Sequence, residues 1–266
     1  MVQEIPFYIV VFNRIEGLQK AVQFVANSTI VLKPVVLDMG STWNEFIQYR
    51  DSLGIEVVHF PYGVGPRDLW ISGELEKLGQ GPFFLTDGDI DFSLAPSNTA
   101  ERMKEVSERY PWFPKIGLAL ELTDLPNDSE GDRVLAWERD HWKVPIQKDI
   151  YLTGVDTTIA FYPRRERTFY YRPALRLAGI FTVRHYPWYE RQDSLNEEAE
   201  YYQKIAKASI STLQAKQWPS KSYLMHHQLL VRLYSLFKPA FRFRLFGVLA
   251  VNLFSYRGTI RSNQKS

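Results

Sequence analysis

The 266-residue chain contains no cysteine. Disulfide bonds, thiolate metal sites and cysteine nucleophiles are therefore excluded, and nothing points to an oxidising compartment. A basic leader followed by a long apolar region is also missing at the N-terminus, so we expect no secretory signal and a cytoplasmic location. Aromatic residues, by contrast, make up 15% of the chain, and the apolar content of 45% is ample for a buried core.

Acidic residues are absent after Glu200, whereas eleven basic residues occur there. The first 200 residues hold all 30 acidic residues and 21 of the 32 basic ones, so the net charge of +2 conceals two parts of opposite sign. A basic tail favours an anionic partner, either nucleic acid or lipid headgroups. We therefore divide the chain into a domain of residues 1–192 and a helical, basic C-terminal extension of residues 193–266.

The tail lacks an apolar run of bilayer length. Its apolar stretch at residues 245–254 is about half of the roughly 20 residues that a spanning helix needs. Flanking arginines predict instead a basic amphipathic helix lying on an anionic membrane surface. The alternative is a helix pair packed on the first domain or on a second copy of the chain, as a homodimer. No recognisable nucleic-acid-binding module is present, which disfavours nucleic acid as a partner.

Apolar segments of strand length begin near residues 6, 30, 55 and 83, and helical patterns separate them. This alternation predicts an α/β fold with a doubly wound, Rossmann-like, mostly parallel sheet flanked by helices. Residues 69–78 are predicted as one helix and residues 123–133 as a surface loop. Ligands of such sheets bind beyond the carboxyl ends of the strands. The polar groups at these ends are Asn13, Asp38, the turn at residues 63–67, Asp87 and Asp89.

The fourth strand runs directly into Asp87, Asp89 and Asp91. If the extended geometry continues, these three side chains point the same way. Like charges packed so closely repel one another unless a divalent cation with oxygen ligands lies among them. The alternative is an exposed Asp-Gly turn, which is common and carries no function. Polar groups at four consecutive strand ends favour the ligand site.

These motifs resemble those of glycosyltransferases of the GT-A fold, in particular the inverting family-2-like group. The resemblance covers roughly residues 5–190, and residues 156–158 and 184–189 look like motifs of a bacterial subgroup. The motifs that carry it most clearly are Phe12-Asn13-Arg14, Asp38-Met39-Gly40-Ser41-Thr42, residues 63–67 and Thr86-Asp87-Gly88-Asp89. The resemblance implies a GT-A fold, a nucleotide-sugar donor and a Mn²⁺ or Mg²⁺ cofactor.

The resemblance also implies roles for the residues at the strand ends. Asn13, Arg14 and Asp38 would bind the nucleotide sugar, with Asp38 at the base or ribose. Asp87 would face the nucleotide and join the metal site, and Asp89 would bind the metal ion that bridges the diphosphate. The chemistry is consistent, because the leaving nucleoside diphosphate develops negative charge that a metal or cations must stabilise.

Four further residues are candidates for the same site. Arg67, at a helix start, would add positive charge near the diphosphate; its alternative is a surface ion pair with a neighbouring carboxylate. His185 would complete the metal shell or serve the acceptor site, since neutral imidazole suits Mn²⁺; its alternative is a packed, hydrogen-bonded histidine. Trp188 and Tyr189 would form a wall on which the acceptor sugar stacks, although aromatic residues are more often core.

The sequence departs from the family in lacking the Glu-Asp-type motif that usually carries the catalytic base. Inverting transfer still needs a carboxylate or histidine to accept the proton of the acceptor hydroxyl. Asp156 is the first candidate because it opens an apolar strand at a suitable distance downstream, followed by Glu138 and then Asp140. Each has a structural alternative, a strand-edge cap for Asp156 and a solvated helix face for the other two. A retaining outcome therefore stays open.

The resulting prediction is a metal-dependent glycosyltransferase for cell-surface polysaccharide synthesis, peripheral on the inner face of the cell membrane. It would move a sugar from a nucleotide-sugar donor to a glycan or lipid-linked saccharide acceptor. One alternative is a sugar nucleotidyltransferase of related fold, although residues 12–17 lack the glycine-rich, basic loop that such enzymes need after the first strand. The other is a non-catalytic, membrane-associated scaffold with a degenerate site.

Overall fold

The computed structural model describes residues 4–62, 66–155, 158–164 and 173–205. The strands are β1 (Ile5–Val11), β2 (Leu32–Asp38), β3 (Glu56–His59), β4 (Phe83–Asp87), β5 (Ile90–Asp91), β6 (Ile116–Leu120), β7 (Pro145–Gln147), β8 (Ile150–Gly154), β9 (Ile159–Tyr162) and β10 (Pro173–His185). The helices are α1 (Ile15–Ala26), α2 (Asn44–Ser52), α3 (Pro66–Ile71), α4 (Glu74–Lys77), α5 (Thr99–Arg109), α6 (Ser129–Glu138) and α7 (Glu197–Ile205), with 3₁₀ turns at Arg139–Trp142 and Tyr186–Trp188.

The strands form one sheet in the order β3-β2-β1-β4-β9-β6-β10-β8-β7, with β5 paired to the end of β10. Strands β3, β2, β1 and β4 are parallel neighbours, and β6 and β10 continue in the same direction beyond the antiparallel β9. The fold class predicted from the sequence, an α/β protein with a mostly parallel sheet flanked by helices, is confirmed.

Strand β1 shows why the central sheet is stable. Phe7, Ile9 and Val11 belong to the hydrophobic core on one face of the sheet, and Tyr8 and Val10 belong to the core on the other. Successive side chains of a strand point to opposite faces, so a continuous apolar run is needed where helices cover both. The carboxyl end of β1 is thus held rigidly at the centre of the sheet.

Two local predictions are wrong. The single helix expected over residues 69–78 is two short helices, α3 and α4, because Gly73 between them adopts a left-handed φ of 75°. The loop expected over residues 123–133 ends earlier, because the side chain of Asp128 accepts the backbone N–H of Gly131 and caps α6.

The basic tail from residue 206 onward, including the proposed amphipathic helix, lies outside the described residues. Among the residues that the structure does describe, none of the helices is long and apolar enough to cross a membrane.

Candidate functional site

The aspartates at the end of β4 do not form one straight row. Strand β4 ends at Asp87, Gly88 and Asp89 form a turn, and β5 begins at Ile90. Asp91 faces other groups, since its carboxylate accepts hydrogen bonds from the backbone and hydroxyl of Ser93. The expectation that Asp91 points the same way as the other two is therefore wrong, because the turn at Gly88 ends the alternation of an extended strand.

The turn rests directly on helix α1. A Cβ atom placed on Gly17 would lie 1.9 Å from the carbonyl oxygen of Gly88, and one on Gly88 would lie 2.9 Å from the carbonyl oxygen of Val10. Only glycine permits backbones to approach this closely. The position of Asp89 is therefore set by backbone contact with β1 and α1.

His185 is brought to the aspartate turn by strand pairing. It pairs with Ile90 between β10 and β5, and the backbone N–H of Tyr186 donates to the carbonyl of Asp89 over 2.9 Å. Nε2 of His185 lies 3.4 Å from Oδ2 of Asp89. These two predicted metal ligands, almost 100 residues apart in the chain, are neighbours in the structure.

Arg14 supplies positive charge beside Asp89. It is 5% exposed, and its Nη1 donates to Oε1 of Glu190 over 2.6 Å. Burial raises the pKa of the Asp89 carboxyl, but His185 and then Arg14 outweigh that effect and hold the pKa below its usual value. Asp89 is therefore ionised in the site, and its Oδ1 is buried without a hydrogen-bond partner among the described residues.

A divalent cation fits this pair of side chains. Among the described residues there is no group of three or more potential ligands, so the protein would supply two, Asp89 and His185. Mg²⁺ is usually held by one or two carboxylates together with substrate phosphates and water, and Mn²⁺ also accepts imidazole. The orphaned Oδ1 of Asp89 is the type of atom that such an ion satisfies.

Asp87 lies in the same cluster. Burial raises the pKa of the Tyr202 hydroxyl, and the negative charges of Asp89 and Asp87 raise it further. Both carboxylates therefore lie close enough to Tyr202 to act on its hydroxyl group. The convergence of Asp87 with Asp89 on one metal site stays a prediction.

Asn13 and Asp38 join the ends of β1 and β2. Asn13 adopts a φ of 52°, and its Oδ1 accepts the backbone N–H groups of Thr42 and Trp43, each over 2.8 Å. Asp38 is 1% exposed and forms a buried ion pair with Arg50. Both side chains thus shape the loop after β2. The contact of Asp38 with a base or ribose stays a prediction.

Glu138 is the last residue of α6. It is 2% exposed and forms a buried ion pair with Arg176, nine residues before His185 along β10. The solvated helix face that was its alternative is wrong, and its role as catalytic base stays a prediction. Asp140 forms an ion pair with Lys143.

Asp156 and the side chain of Arg67 lie outside the described part of the structure, so their roles stay predictions.

Of the two aromatic residues predicted to bind the acceptor, Trp188 is buried and Tyr189 is partly exposed. Trp188 is 7% exposed and packs edge-on against the His185 ring, with 5.3 Å between ring centroids. Tyr189 is partly exposed, and its hydroxyl donates to Oδ1 of Asp124 over 2.7 Å. Trp188 has little free face for a sugar, whereas Tyr189 retains some.

Sequence reasoning missed the residues of α7 that close the site. Glu198 accepts the backbone N–H groups of Ile15 and Glu16, and the ring of Tyr202 lies against the guanidinium of Arg14. The adjacent Tyr201 and Tyr202 on a helix with Glu198 in its first turn were a visible signal. It went unused because the helix falls beyond the boundary placed at residue 192.

No protein-family model and no curated protein matches the chain. Solved structures that are similar to it include the following three. The mannosyltransferase PcManGT of Pyrobaculum calidifontis, in complex with GDP-Man and Mn²⁺, is 10% identical, and the match covers 95% of this chain and 87% of that one, with a TM-score of 0.44. Glucosyl-3-phosphoglycerate synthase of Mycobacterium tuberculosis, in complex with Mn²⁺ and UDP among others, is 14% identical, with 60% and 57% covered and a TM-score of 0.40. TarS of S. aureus in complex with UDP is 11% identical, with 45% and 36% covered and a TM-score of 0.34. The chain spans less than two thirds of the last two, and the likeness is distant.

Proposed function

We propose that the chain is a metal-dependent glycosyltransferase that takes its sugar from a nucleotide-sugar donor. The observation that carries the proposal is the meeting of Asp89, His185 and Arg14 at the carboxyl end of the parallel strands. This arrangement is suited to bind a divalent cation together with an anionic ligand. The motifs that resemble the GT-A glycosyltransferases narrow that ligand to the diphosphate of a nucleotide sugar.

Each residue of the cluster has a separate task in this proposal. Asp89 and His185 would hold Mn²⁺ or Mg²⁺, which supplies Lewis-acid stabilisation of the charge on the leaving diphosphate. Arg14 would bind the diphosphate through charge-assisted hydrogen bonds. Asn13 and Asp38 would fix the loop after β2 at the nucleoside, with Asp38 also contacting it. Asp87 would face the nucleotide, and Arg67 would add charge to the diphosphate.

The acceptor half of the site follows from the chemistry of the transfer. The acceptor oxygen would attack the anomeric carbon as the bond to the diphosphate breaks, and a base would take the hydroxyl proton. Asp156 is proposed as that base from its sequence position, and Tyr189 as an acceptor contact. A single displacement inverts the anomeric centre, so the proposal fails on this point if NMR of the product shows retention.

Calorimetric titration tests the donor proposal most directly. UDP and GDP should be titrated into the full chain with Mn²⁺ and with EDTA. We expect at least one nucleotide to bind, at least about tenfold more tightly with Mn²⁺, because protein and diphosphate share the ion. A screen of nucleotide-sugar hydrolysis then identifies the sugar. Absence of any Mn²⁺-dependent binding would favour the non-catalytic scaffold instead.

We further propose that the enzyme acts on glycan or lipid-linked acceptors in cell-surface polysaccharide synthesis, at the cytoplasmic face of the membrane. The support is the basic, Leu- and Phe-rich tail, which would bind anionic lipid at about 1 kcal/mol for each basic side chain.

Vesicle flotation of the full chain tests the tail. We expect co-flotation with vesicles containing phosphatidylglycerol and none with pure phosphatidylcholine. The triple variant R242Q/R244Q/R257Q should bind roughly a hundredfold more weakly, because three such contributions are lost. Equal flotation with both lipids, or no effect of the variant, would favour packing of the tail on protein.

A further inference from the structure

Helix α7 lies across the loops that the proposed function assigns to the donor. The Tyr202 ring stands 4.2 Å from the guanidinium carbon of Arg14, and its centroid lies 6.1 Å from that of Phe12. Phe12 in turn packs against Tyr62, which follows β3, at 5.7 Å. Tyr202 therefore packs against the residues that follow β1 and lies over the cation proposed to bind diphosphate.

The same helix is anchored on both sides of that space. The Tyr201 ring stacks on Trp43 with 5.7 Å between centroids, and its hydroxyl lies 3.1 Å from Oγ1 of Thr42. At the other end, the hydroxyl of Tyr62 donates to the carbonyl of Ile205 over 2.8 Å. These contacts hold α7 against the loops after β2 and β3, which flank the proposed nucleoside position.

The carboxylate of Glu198 lies at the start of α1, a position that attracts anions. Its Oε2 accepts the backbone N–H groups of Ile15 over 2.6 Å and Glu16 over 3.1 Å, and its Oε1 lies 3.8 Å from Nη1 of Arg14. Unpaired N–H groups at the start of a helix, together with a guanidinium, are the partners that a phosphate group uses. The chain therefore satisfies these groups with its own carboxylate.

We infer that α7 is an internal competitor of the donor: Glu198 and Tyr202 occupy the groups that the nucleotide diphosphate must engage, and the nucleotide binds only when α7 moves aside. The inference rests on the proposed function, because it takes the ligand to be a nucleoside diphosphate. The apparent affinity for nucleotide then equals the intrinsic affinity reduced by the fraction of molecules in which α7 is displaced. Weakening α7 should raise nucleotide affinity, whereas a helix that forms part of the donor site would have the opposite effect.

Two variants separate these cases. Glu198→Gln removes the charge and keeps the shape, and Tyr202→Ala removes the ring over Arg14. Calorimetric titration with UDP and GDP in the presence of Mn²⁺ should give dissociation constants at least about tenfold lower for each variant than for the unaltered chain. Glu200→Gln is the matched control, since it removes the same charge from an exposed position of the same helix and should leave the dissociation constant unchanged.

The possible outcomes distinguish competition by α7 from the proposed function on which it rests. If the unaltered chain binds nucleotide and both variants bind it equally well or more weakly, the role of α7 is overturned. The proposed function then stays intact. Binding that appears only in the variants would support both. If neither the unaltered chain nor either variant binds nucleotide, the proposed function fails and this inference fails with it.

Hydrogen exchange gives a second measurement that does not depend on the variants. In the unaltered chain, UDP or GDP with Mn²⁺ should speed amide exchange across α7 and leave the backbone amides of α2 unchanged. Slower exchange in α7 on nucleotide addition would show that the helix closes over the donor, and would overturn the inference.

Discussion

Replacing Asp89 with alanine is expected to weaken Mn²⁺-dependent nucleotide binding, and any transfer that depends on it, by at least about a hundredfold. The physical reason is that Asp89 is one of the two described side chains proposed to ligate the ion, and its negative charge also balances Arg14. The measurement is calorimetric titration of UDP and GDP with and without Mn²⁺. Circular dichroism should show an unchanged fold, because the position of the turn is set by backbone contacts.

Asp91→Asn is the control for this result. It changes the same type of side chain two residues away, where the carboxylate serves Ser93 and lies near Arg184. Nucleotide affinity should stay within about twofold of the unaltered chain, because the Asp91 carboxylate contacts Ser93 and Arg184 and is not one of the proposed metal ligands. Undiminished Mn²⁺ dependence in Asp89→Ala would contradict the assignment of the metal site to the turn after β4.

Replacing Arg176 with methionine is expected to lower the free energy of unfolding by about 3–5 kcal/mol. The substitution leaves the Glu138 carboxylate buried without its guanidinium partner, in a position that is 2% exposed. Urea denaturation followed by circular dichroism measures the change. The double variant E138M/R176M should recover most of the loss, since apolar side chains of similar volume often replace a buried ion pair without cost.

The double variant also decides whether Glu138 is the catalytic base. A folded E138M/R176M chain should keep its nucleotide affinity and its transfer rate if the pair is structural. If the folded double variant binds nucleotide normally but transfers no sugar, Glu138 is the catalytic base and the acceptor binds near Arg176.

The parallel half of the sheet could be predicted from the sequence, because its strands are continuous apolar runs that end in polar residues. Strand β1 is the clearest case, since every side chain from Phe7 to Phe12 is buried and the polar Asn13 follows directly. The same rule located Asp38 and Asp87 at the ends of β2 and β4. Local patterns of this kind are legible because they depend only on neighbouring residues.

The contacts that complete the site were beyond such rules. Arg14 meets Glu190 across 176 residues of sequence, and Ile15 meets Glu198 across 183. His185 reaches Asp89 through the two-residue strand β5, which is too short to carry a periodic signal. The prediction that the three aspartates form a straight row was wrong for a local reason, because the chain turns at Gly88. Pairings of this range depend on the assembled sheet and leave no trace in spacing or composition.

The contact between Gly17 and Gly88 constrains how this protein can be altered. The distance between the first turn of α1 and the Asp87–Asp89 turn is fixed by two backbones in contact, and any side chain at either position would push them apart. Attempts to redesign the protein for a different donor therefore have no freedom along this axis. Under the proposed function, changes of specificity would come from the loop after β2, where the backbone N–H of Asn13 donates to the Ser41 hydroxyl and the Asp38 carboxylate accepts the backbone N–H of Ser41.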